Sequence, residues 1–519
     1  MWTIVISTAA RLFMAAVLGY GYGEGYYEAT ARHFALSYFD QPPLGLWVGW
    51  LMIKLFGAQQ ILLVRLPFVL MFSLTTWVMY RLGALLFDER AGAWAALLLN
   101  LSIVFFISVG DWLQPDAPLM LFLALTALVV ARIRFGEKPA TLFDWLLAGV
   151  LFGLAMLSKY HAALIFAGFV IFVATTWKDR RWLSWPGLLL AAIVAALLFS
   201  PVLIWNAENG WVSFFFQGDR ITASDGLHFG WLLRSIVGQA GIMNPVVWVP
   251  LIYVFFKALA RGPRDAKSWY LACLAIVPII VFTAAALWAP LGYHFHWQSP
   301  GYLFLFPLLG KFTAEGIAAG RPASRRAVIA AGICVAVAAT FVTSQAMFGW
   351  VRLVMPKQMT AKLEESANPT RELLSWTQLR DVLQQQGYLT RPHIFAVGPQ
   401  WHQAGKVDVQ LGDVMPVVCL CGDPRNIAFG WDPEKLVGWD ALIVGTDNYI
   451  PDVQRQYGAY FDHIELIDSV VILLGGRPDL TVRVWLAHNY HGGYPLPVGP
   501  GGPRPKLPVK SPAAAAPSS

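Results

Sequence analysis

About eleven stretches of predominantly apolar residues govern what this chain can fold into. They cover residues 3–22, 61–87, 92–109, 117–133, 144–158, 160–177, 183–205, 230–256, 269–289, 300–318 and 327–348. A helix of roughly 20 apolar residues crosses the hydrocarbon core of a bilayer. In that solvent every backbone N–H and C=O must be satisfied within the protein, so runs of this kind imply a polytopic helical bundle. The run from Leu142 to Trp177 is too long for one span, and Lys159 marks its turn. Composition agrees: of 519 residues 57% are hydrophobic and only 13% charged, against roughly 25% charged in a soluble domain. A soluble enzyme is excluded. Arg11 interrupts the first run, which begins almost at the first residue, so the true start codon is expected to lie elsewhere. No small-residue cleavage site follows a charged segment, which argues against a cleaved signal peptide.

The net charge of +7 is unevenly placed. Residues 1–349 hold 23 Lys and Arg against 15 Asp and Glu, whereas residues 350–519 hold 15 against 16. The basic excess therefore belongs to membrane loops rather than to a nucleic-acid groove, and no nucleic-acid partner is expected. Loops 88–91, 132–143, 178–182, 257–268 and 319–326 carry most of it, while the alternate loops carry only Arg32, Lys54, Lys159 and Arg220. The positive-inside rule makes the first set cytoplasmic. An odd number of spans then puts the C-terminal third on the periplasmic side of a bacterial inner membrane.

The far-side loops gather Glu24, Glu28, Asp40, Asp111, Asp116, Glu208, Asp219 and Asp225, with His33, His161, His228, His294 and His296. Acids and histidines crowded beside a membrane on one face mark a site. Residues 350–490 change character. Short β-rich runs at His393–Val397, Ala441–Val444, Val470–Leu474 and Val482–Leu486, with an amphipathic helix over Thr377–Gln386, predict a small α/β domain. From residue 491 the tail is rich in Pro, Gly and Ala and is expected to be disordered. The division is thus 1–349, 350–490 and 491–519. Cys273 and Cys334 fall in apolar runs; Cys419 and Cys421 form C-x-C, too close for an ordinary bridge and half of a zinc site at most.

The first far-side loop is the most informative stretch. Gly23-Glu24-Gly25-Tyr26-Tyr27-Glu28 leads to Ser37-Tyr38-Phe39-Asp40-Gln41-Pro42-Pro43-Leu44, then to a short Trp- and Leu-rich segment over residues 47–56. An acid at the end of a span beside an interfacial segment suits chemistry on a lipid-borne substrate. This pattern resembles the first-loop signature of bacterial membrane glycosyltransferases of the protein-mannosyltransferase and lipid A aminoarabinose-transferase superfamily, which have the C-type fold. Further matches follow in order: Pro115-Asp116-Ala117-Pro118-Leu119, Leu157-Ser158-Lys159-Tyr160, Pro201-Val202-Leu203-Ile204-Trp205-Asn206, Trp211-Val212-Ser213-Phe214 and His296-Trp297-Gln298-Ser299-Pro300.

The resemblance implies transfer of a sugar from a polyprenyl-phosphate donor to a periplasmic envelope acceptor: lipid A or its core, another glycan, or protein. Such chemistry needs a carboxylate to take the acceptor's proton and cations around the departing phosphate. The family's first loop carries Asp-Glu at its tip, but here the Asp position is Gly23. The base then falls to Glu24, with Asp40 and Asp116 as alternatives. A Lys precedes the first Pro in the aminoarabinose transferases; here it is Gln41. Phosphate contacts pass to Lys159, Arg220, Arg234 and His294 or His296. Tyr26, Tyr27, Trp205, Asn206 and Trp297 are read as positioning groups. A divalent metal on Asp116, Glu24 or His296 has no ligand-spacing motif behind it, and no other cofactor is implied. Two other classes share the membrane pattern, a polyprenyl-sugar flippase and a non-catalytic envelope assembly protein. The acids cluster in loops rather than at mid-span, and no inverted repeat is visible, which favours the enzyme.

The topology is testable. Alkaline phosphatase fused at Gly405 should be active and at Arg264 inactive; the reverse would overturn the placement of Glu24.

Overall fold

The computed structural model describes residues 1–222, 226–289, 295–351 and 372–504. The chain divides into two compact units, one of residues 1–19, 34–204 and 214–370, the other of residues 20–33, 205–213 and 371–519. Two short pieces of the N-terminal part therefore group with the C-terminal residues, which a linear division at residue 349 does not convey.

The first unit is helical: α1 (Trp2–Val17), α3 (Leu44–Phe56), α4 (Ile61–Leu86), α5 (Glu89–Asn100), α6 (Asp116–Phe135), α7 (Leu142–Ser158), α8 (Ala162–Thr175), most of α9 (Trp185–Glu208), and α10 (Val212–Thr222) to α16 (Pro322–Phe348). Among the described residues six helices are long and apolar enough to cross a membrane, or up to seven if the first run counts as one broken span. The shortfall from eleven has local causes. The run 92–109 ends α5 at Asn100 and finishes as a π turn over Val104–Ser108. The run 230–256 breaks into α11 (Phe229–Met243) and α12 (Pro245–Arg261) at Asn244, where φ is 74° and Pro245 follows, although its second half still counts among the six. The run 300–318 splits into α14 (Ser299–Leu303) and α15 (Phe306–Ala318). α7 and α8, of 17 and 14 residues, are shorter than the length criterion, yet they part where expected: α7 ends at Ser158 and Lys159 is extended.

Small residues let these helices touch. A Cβ on Gly310 of α15 would lie 2.2 Å from the Ala91 carbonyl oxygen of α5, and one on Gly92 would lie 2.3 Å from the Tyr80 carbonyl oxygen of α4. Close approach replaces hydrophobic drive, which is weak between helices in lipid. Two buried arginines are absorbed into the bundle. Arg65 of α4 donates to the carbonyls of Ala15 and Leu18 at 2.8 and 2.7 Å and of Gly19 at 2.9 Å, capping the C-terminus of α1. Arg11, which interrupts the first apolar run, lies 3.6 Å from Asp111, donates to Asn100 at 2.7 Å and faces Phe72 and Phe106. A buried cation is tolerable because it is paired and hydrogen-bonded.

In the second unit a five-stranded mixed sheet runs β2 (Val417–Cys419), β1 (Ile394–Gly398), β3 (Asp440–Gly445), β5 (Arg477–Tyr490), β4 (Phe461–Leu474). β1 is parallel to both neighbours; β5 is antiparallel to β3 and β4. Side chains alternate in β1, so Ile394 and Ala396 enter the core covered by α17 (Thr377–Gln385), while Phe395 and Val397 enter the opposite core with Tyr457 and Tyr490. The four expected strands and the helix are present, with β4 and β5 reaching further than their apolar centres. β2 and α18 (Trp401–Leu411) are additions. The tail differs from expectation up to Arg504: Val498–Gly499 pairs with Gly502–Pro503, and the Gly501 amide donates to the Asn209 side-chain oxygen. Residues 505–519 lie outside the described residues. Cys419 and Cys421 are free and buried, their sulfurs 2.9 Å apart, so the pair faces itself despite its short spacing.

Removing the Arg65 cap should be costly. Arg65→Met leaves three carbonyls without their charged donor, and a loss on the order of 3–5 kcal/mol is expected. Denaturant titration in mixed micelles reads it; an unchanged midpoint would show the cap to be dispensable.

Candidate active site

In the helical unit the sequence candidates converge on the start of α6 and the turn between α7 and α8. Pro115 precedes α6, and Asp116 is its first residue, where exposed helix N–H groups favour a carboxylate. Lys159 leaves α7 in extended conformation, which aims its side chain across to α6. Its ammonium donates to both Asp116 oxygens, at 2.9 and 3.0 Å, and both residues are buried. Lys159, expected from sequence to meet the donor phosphate, thus also has a partner within the protein, Asp116, 43 residues away. Both Asp116 oxygens are occupied by this ammonium, which lowers the standing of Asp116 as the proton acceptor.

More cationic and aromatic groups surround this pair. Arg220 of α10 lies over the Trp297 ring at 4.4 Å and over Phe216 at 5.4 Å. Trp297 is buried and meets the His161 ring edge-on at 5.7 Å and Phe282 at 5.3 Å. His296 interacts with Lys159, Arg220 and Asp116; burial, together with the two cations, pulls it down to about 4 against the opposing effect of Asp116. It is therefore neutral at physiological pH and offers a hydrogen bond rather than a charge. Asp40 is also buried, and its backbone carbonyl accepts from Gln217 of α10 at 2.6 Å. Arg234 stands on the exposed side of α11. His294 and Asp225 lie outside the described residues. Lys159 and Arg220 thus supply two cations at a surface with a Trp face, suited to a phosphate.

A metal fits poorly here. Among the described residues no group of three His, Cys, Asp or Glu could hold one. Asp116 is engaged by Lys159, and His296 sits among cations that would repel a second positive ion.

The second unit contains the other candidates. Glu24 lies in α2 (Tyr22–Ala31) and is fully buried. Tyr26, two residues further along the same helix, accepts from the Asn426 amide at 3.1 Å and meets Trp401 edge-on at 5.2 Å, with Tyr27 beside it at 5.4 Å. Tyr26 is therefore a structural anchor of α2. Trp205 packs on Phe429, and the Asn206 side-chain oxygen accepts from the Ser213 amide while its backbone oxygen accepts from Trp211, whose φ is 59°. Asn206 shapes that turn. Gly23 has open space where a Cβ would project, and its φ is not positive, so nothing in the backbone requires glycine there. Sequence reasoning missed Arg32, Asp408 and Lys406, which fasten α2 within this unit.

Known proteins can now be compared. The family model described as dolichyl-phosphate-mannose-protein mannosyltransferase matches residues 40–205. The undecaprenyl phosphate-alpha-4-amino-4-deoxy-L-arabinose arabinosyl transferase of Erwinia tasmaniensis is 26% identical over 268 residues, 49% of this chain and 47% of that protein. One from Proteus mirabilis is 24% identical over 263 residues, 48% and 46% respectively. The chain thus spans about half the length of the curated relatives it matches. Among solved structures, apo ArnT from Cupriavidus metallidurans superposes with a TM-score of 0.60 at 15% identity, covering 93% of this chain and 97% of that one. The same protein bound to undecaprenyl phosphate gives 0.58 at 16% identity, with the same coverage. The likeness shows a shared fold over most of the chain.

The ion pair makes a double-mutant prediction. Lys159→Ala, which strands Asp116, should cost about 3–5 kcal/mol, and Asp116→Asn with Lys159→Met should cost less than half of that. Equal losses would mean that the two groups do not depend on each other.

Proposed function

We propose that the chain is an integral-membrane glycosyltransferase of the C-type superfamily of aminoarabinose and protein-mannosyl transferases, using a polyprenyl-phosphate sugar; the family match over residues 40–205 and the aminoarabinose-transferase relatives support this reading. The observation that carries this reading is the Lys159–Asp116 pair beside Arg220 and Trp297. An ammonium has three donor hydrogens, of which Asp116 takes two. The third, with the Arg220 guanidinium, suits the oxygens of a lipid phosphate at the bilayer surface. Asp116 then serves to hold Lys159 in place, and the Trp297 ring backs the Arg220 guanidinium.

In the reaction, the acceptor hydroxyl attacks the anomeric carbon and the carbon–oxygen bond to the phosphate breaks. The electron pair leaves with polyprenyl phosphate, whose added charge Lys159 and Arg220 stabilise more than they stabilise the bound donor. The hydroxyl proton passes to a carboxylate, assigned here to Glu24. Asp40 is the alternative that the Lys159 pairing leaves strongest. The acceptor is an envelope molecule on the periplasmic side: lipid A or its core, a glycan, or protein. The relatives named above move aminoarabinose from undecaprenyl phosphate, and an amino sugar donor of that type is the first to test.

Glu24→Gln should lower transfer by about 10²–10⁴-fold, the range for loss of a general base, with donor binding within twofold of wild type. Membranes supplied with radiolabelled polyprenyl-phosphate sugar read this as release of polyprenyl phosphate. Wild-type turnover in the variant would move the base to Asp40. Labelled lipid that changes leaflet without releasing its sugar would replace the transferase with a flippase.

A further inference from the structure

Glu24, Glu28 and Arg32 follow one another at four-residue spacing, so they share one stripe of α2 and its C-cap. Arg32 sits between two buried carboxylates. Its Nε lies 2.9 Å from Glu28 and 2.7 Å from Asp408, and its Nη2 donates to the Asp408 backbone carbonyl at 3.4 Å. Asp408 belongs to α18, 376 residues away. Where the two helices cross they touch by backbone: a Cβ on Gly405 would lie 2.5 Å from the Tyr26 nitrogen and 2.8 Å from the Gly25 carbonyl carbon. Beyond the crossing, Lys406 donates to the carbonyls of Tyr20, Glu372 and Leu374, gathering the approach to α2 and the approach to α17 onto one ammonium. The seam is held at three points along its length, all within the second unit.

Such fastening exceeds what a 10-residue loop helix needs merely to avoid unfolding. Two carboxylates and one guanidinium buried together carry a desolvation cost that apolar packing would not. They fix rotation and register, because sliding α2 along α18 would leave two buried carboxylates without the cation they share. We propose that Arg32 and Asp408 are positioning residues for transfer: the C-terminal domain holds α2 in register through this seam and so sets where the Glu24 carboxylate stands. The proposal rests on the transferase reading with Glu24 as proton acceptor, and it gives the C-terminal domain a part in the chemical step.

Acid–base behaviour supports it. Burial pushes the Asp408 carboxyl up to about 6 from its ordinary 3.8, against the pull of Arg32 and with a push from Asp413, which itself pairs with Arg380 of α17. A carboxyl whose folded value exceeds its unfolded one favours the folded seam most at low pH. That contribution is lost as pH rises from about 3.8 to about 6 and stays lost above it. Glu28, across Arg32, faces the same guanidinium, so the two carboxyls titrate as a pair and not one by one.

The test uses the full chain in lipid nanodiscs, measuring kcat and donor KM from pH 5 to 8 together with hydrogen exchange of the α2 amides. Arg32→Met leaves Glu28 and Asp408 buried without a cation. Expected are a fall in kcat of about 10- to 100-fold, the scale of a misplacement near 1 Å, donor KM within twofold of wild type, and faster exchange in α2. Combining it with Glu28→Gln and Asp408→Asn, which neutralises the cluster, should recover most of kcat. Asp408→Asn alone should change the shape of the kcat profile between pH 5 and 8, because it removes one of the two carboxyls that share Arg32. Gly405→Ala, which parts the helices and leaves every charge in place, should lower kcat in the same selective way should Arg32→Met fail to fold. Wild-type kcat in folded Arg32→Met or Gly405→Ala, or a loss expressed in donor KM alone, overturns the proposal. Full turnover in Glu24→Gln, or no transfer by the wild-type protein, overturns the functional reading instead.

Discussion

A charge removed from water persists only when another group compensates it, and the arrangement of this chain follows from where that compensation is found. The Lys159–Asp116 pair joins the turn after α7 to the start of α6. Arg11 with Asp111, and Arg65 with the end of α1, do the same for the first helix. Coulombic attraction is strong in such surroundings, but so is the cost of desolvation, and the two nearly cancel unless hydrogen bonds complete the site. The pairs therefore act less as a source of stability than as fixed points, and they cluster at helix ends, where chain direction changes.

The same rule underlies the proposed seat for a lipid-linked phosphate beside Lys159. A phosphate brings its own charge to a place already furnished with cations, and its departure as a product increases that charge. Lys159 and Arg220 come from different elements, the turn after α7 and α10, and Trp297 from a third segment. Their meeting is a property of the bundle and not of any one motif.

Much of the scaffold was legible in the residues. Apolar periodicity located nearly every helix, and Lys159 marked a true break because a lone cation interrupts an otherwise unbroken run. Alternating β-branched residues located four of the five strands in the main sheet. The break at Asn244-Pro245 carried a signal, since proline disfavours helix in the residue before it, but flanking apolar residues concealed it. α18 was harder to see. Its buried positions include Gln403, Lys406, Asp408 and Gln410, so no apolar stripe betrays it. Those residues are buried through partners elsewhere in the chain, Lys406 at Tyr20 and Asp408 at Arg32. Arg32 itself reads as an ordinary loop charge for the same reason. Tyr26 and Asn206, singled out from sequence as positioning groups, are tied to backbone amides. Long-range pairing of polar groups is invisible to local pattern.

The central claim is that this protein breaks the bond between a sugar and a polyprenyl phosphate. Purified protein in nanodiscs, given an undecaprenyl-phosphate aminoarabinose donor and an envelope lipid extract, can be followed by mass spectrometry of both lipid pools. The account predicts one undecaprenyl phosphate formed for each acceptor molecule that gains a sugar. Donor recovered intact across a range of sugars and acceptors, with bound lipid but no cleaved lipid, would contradict it.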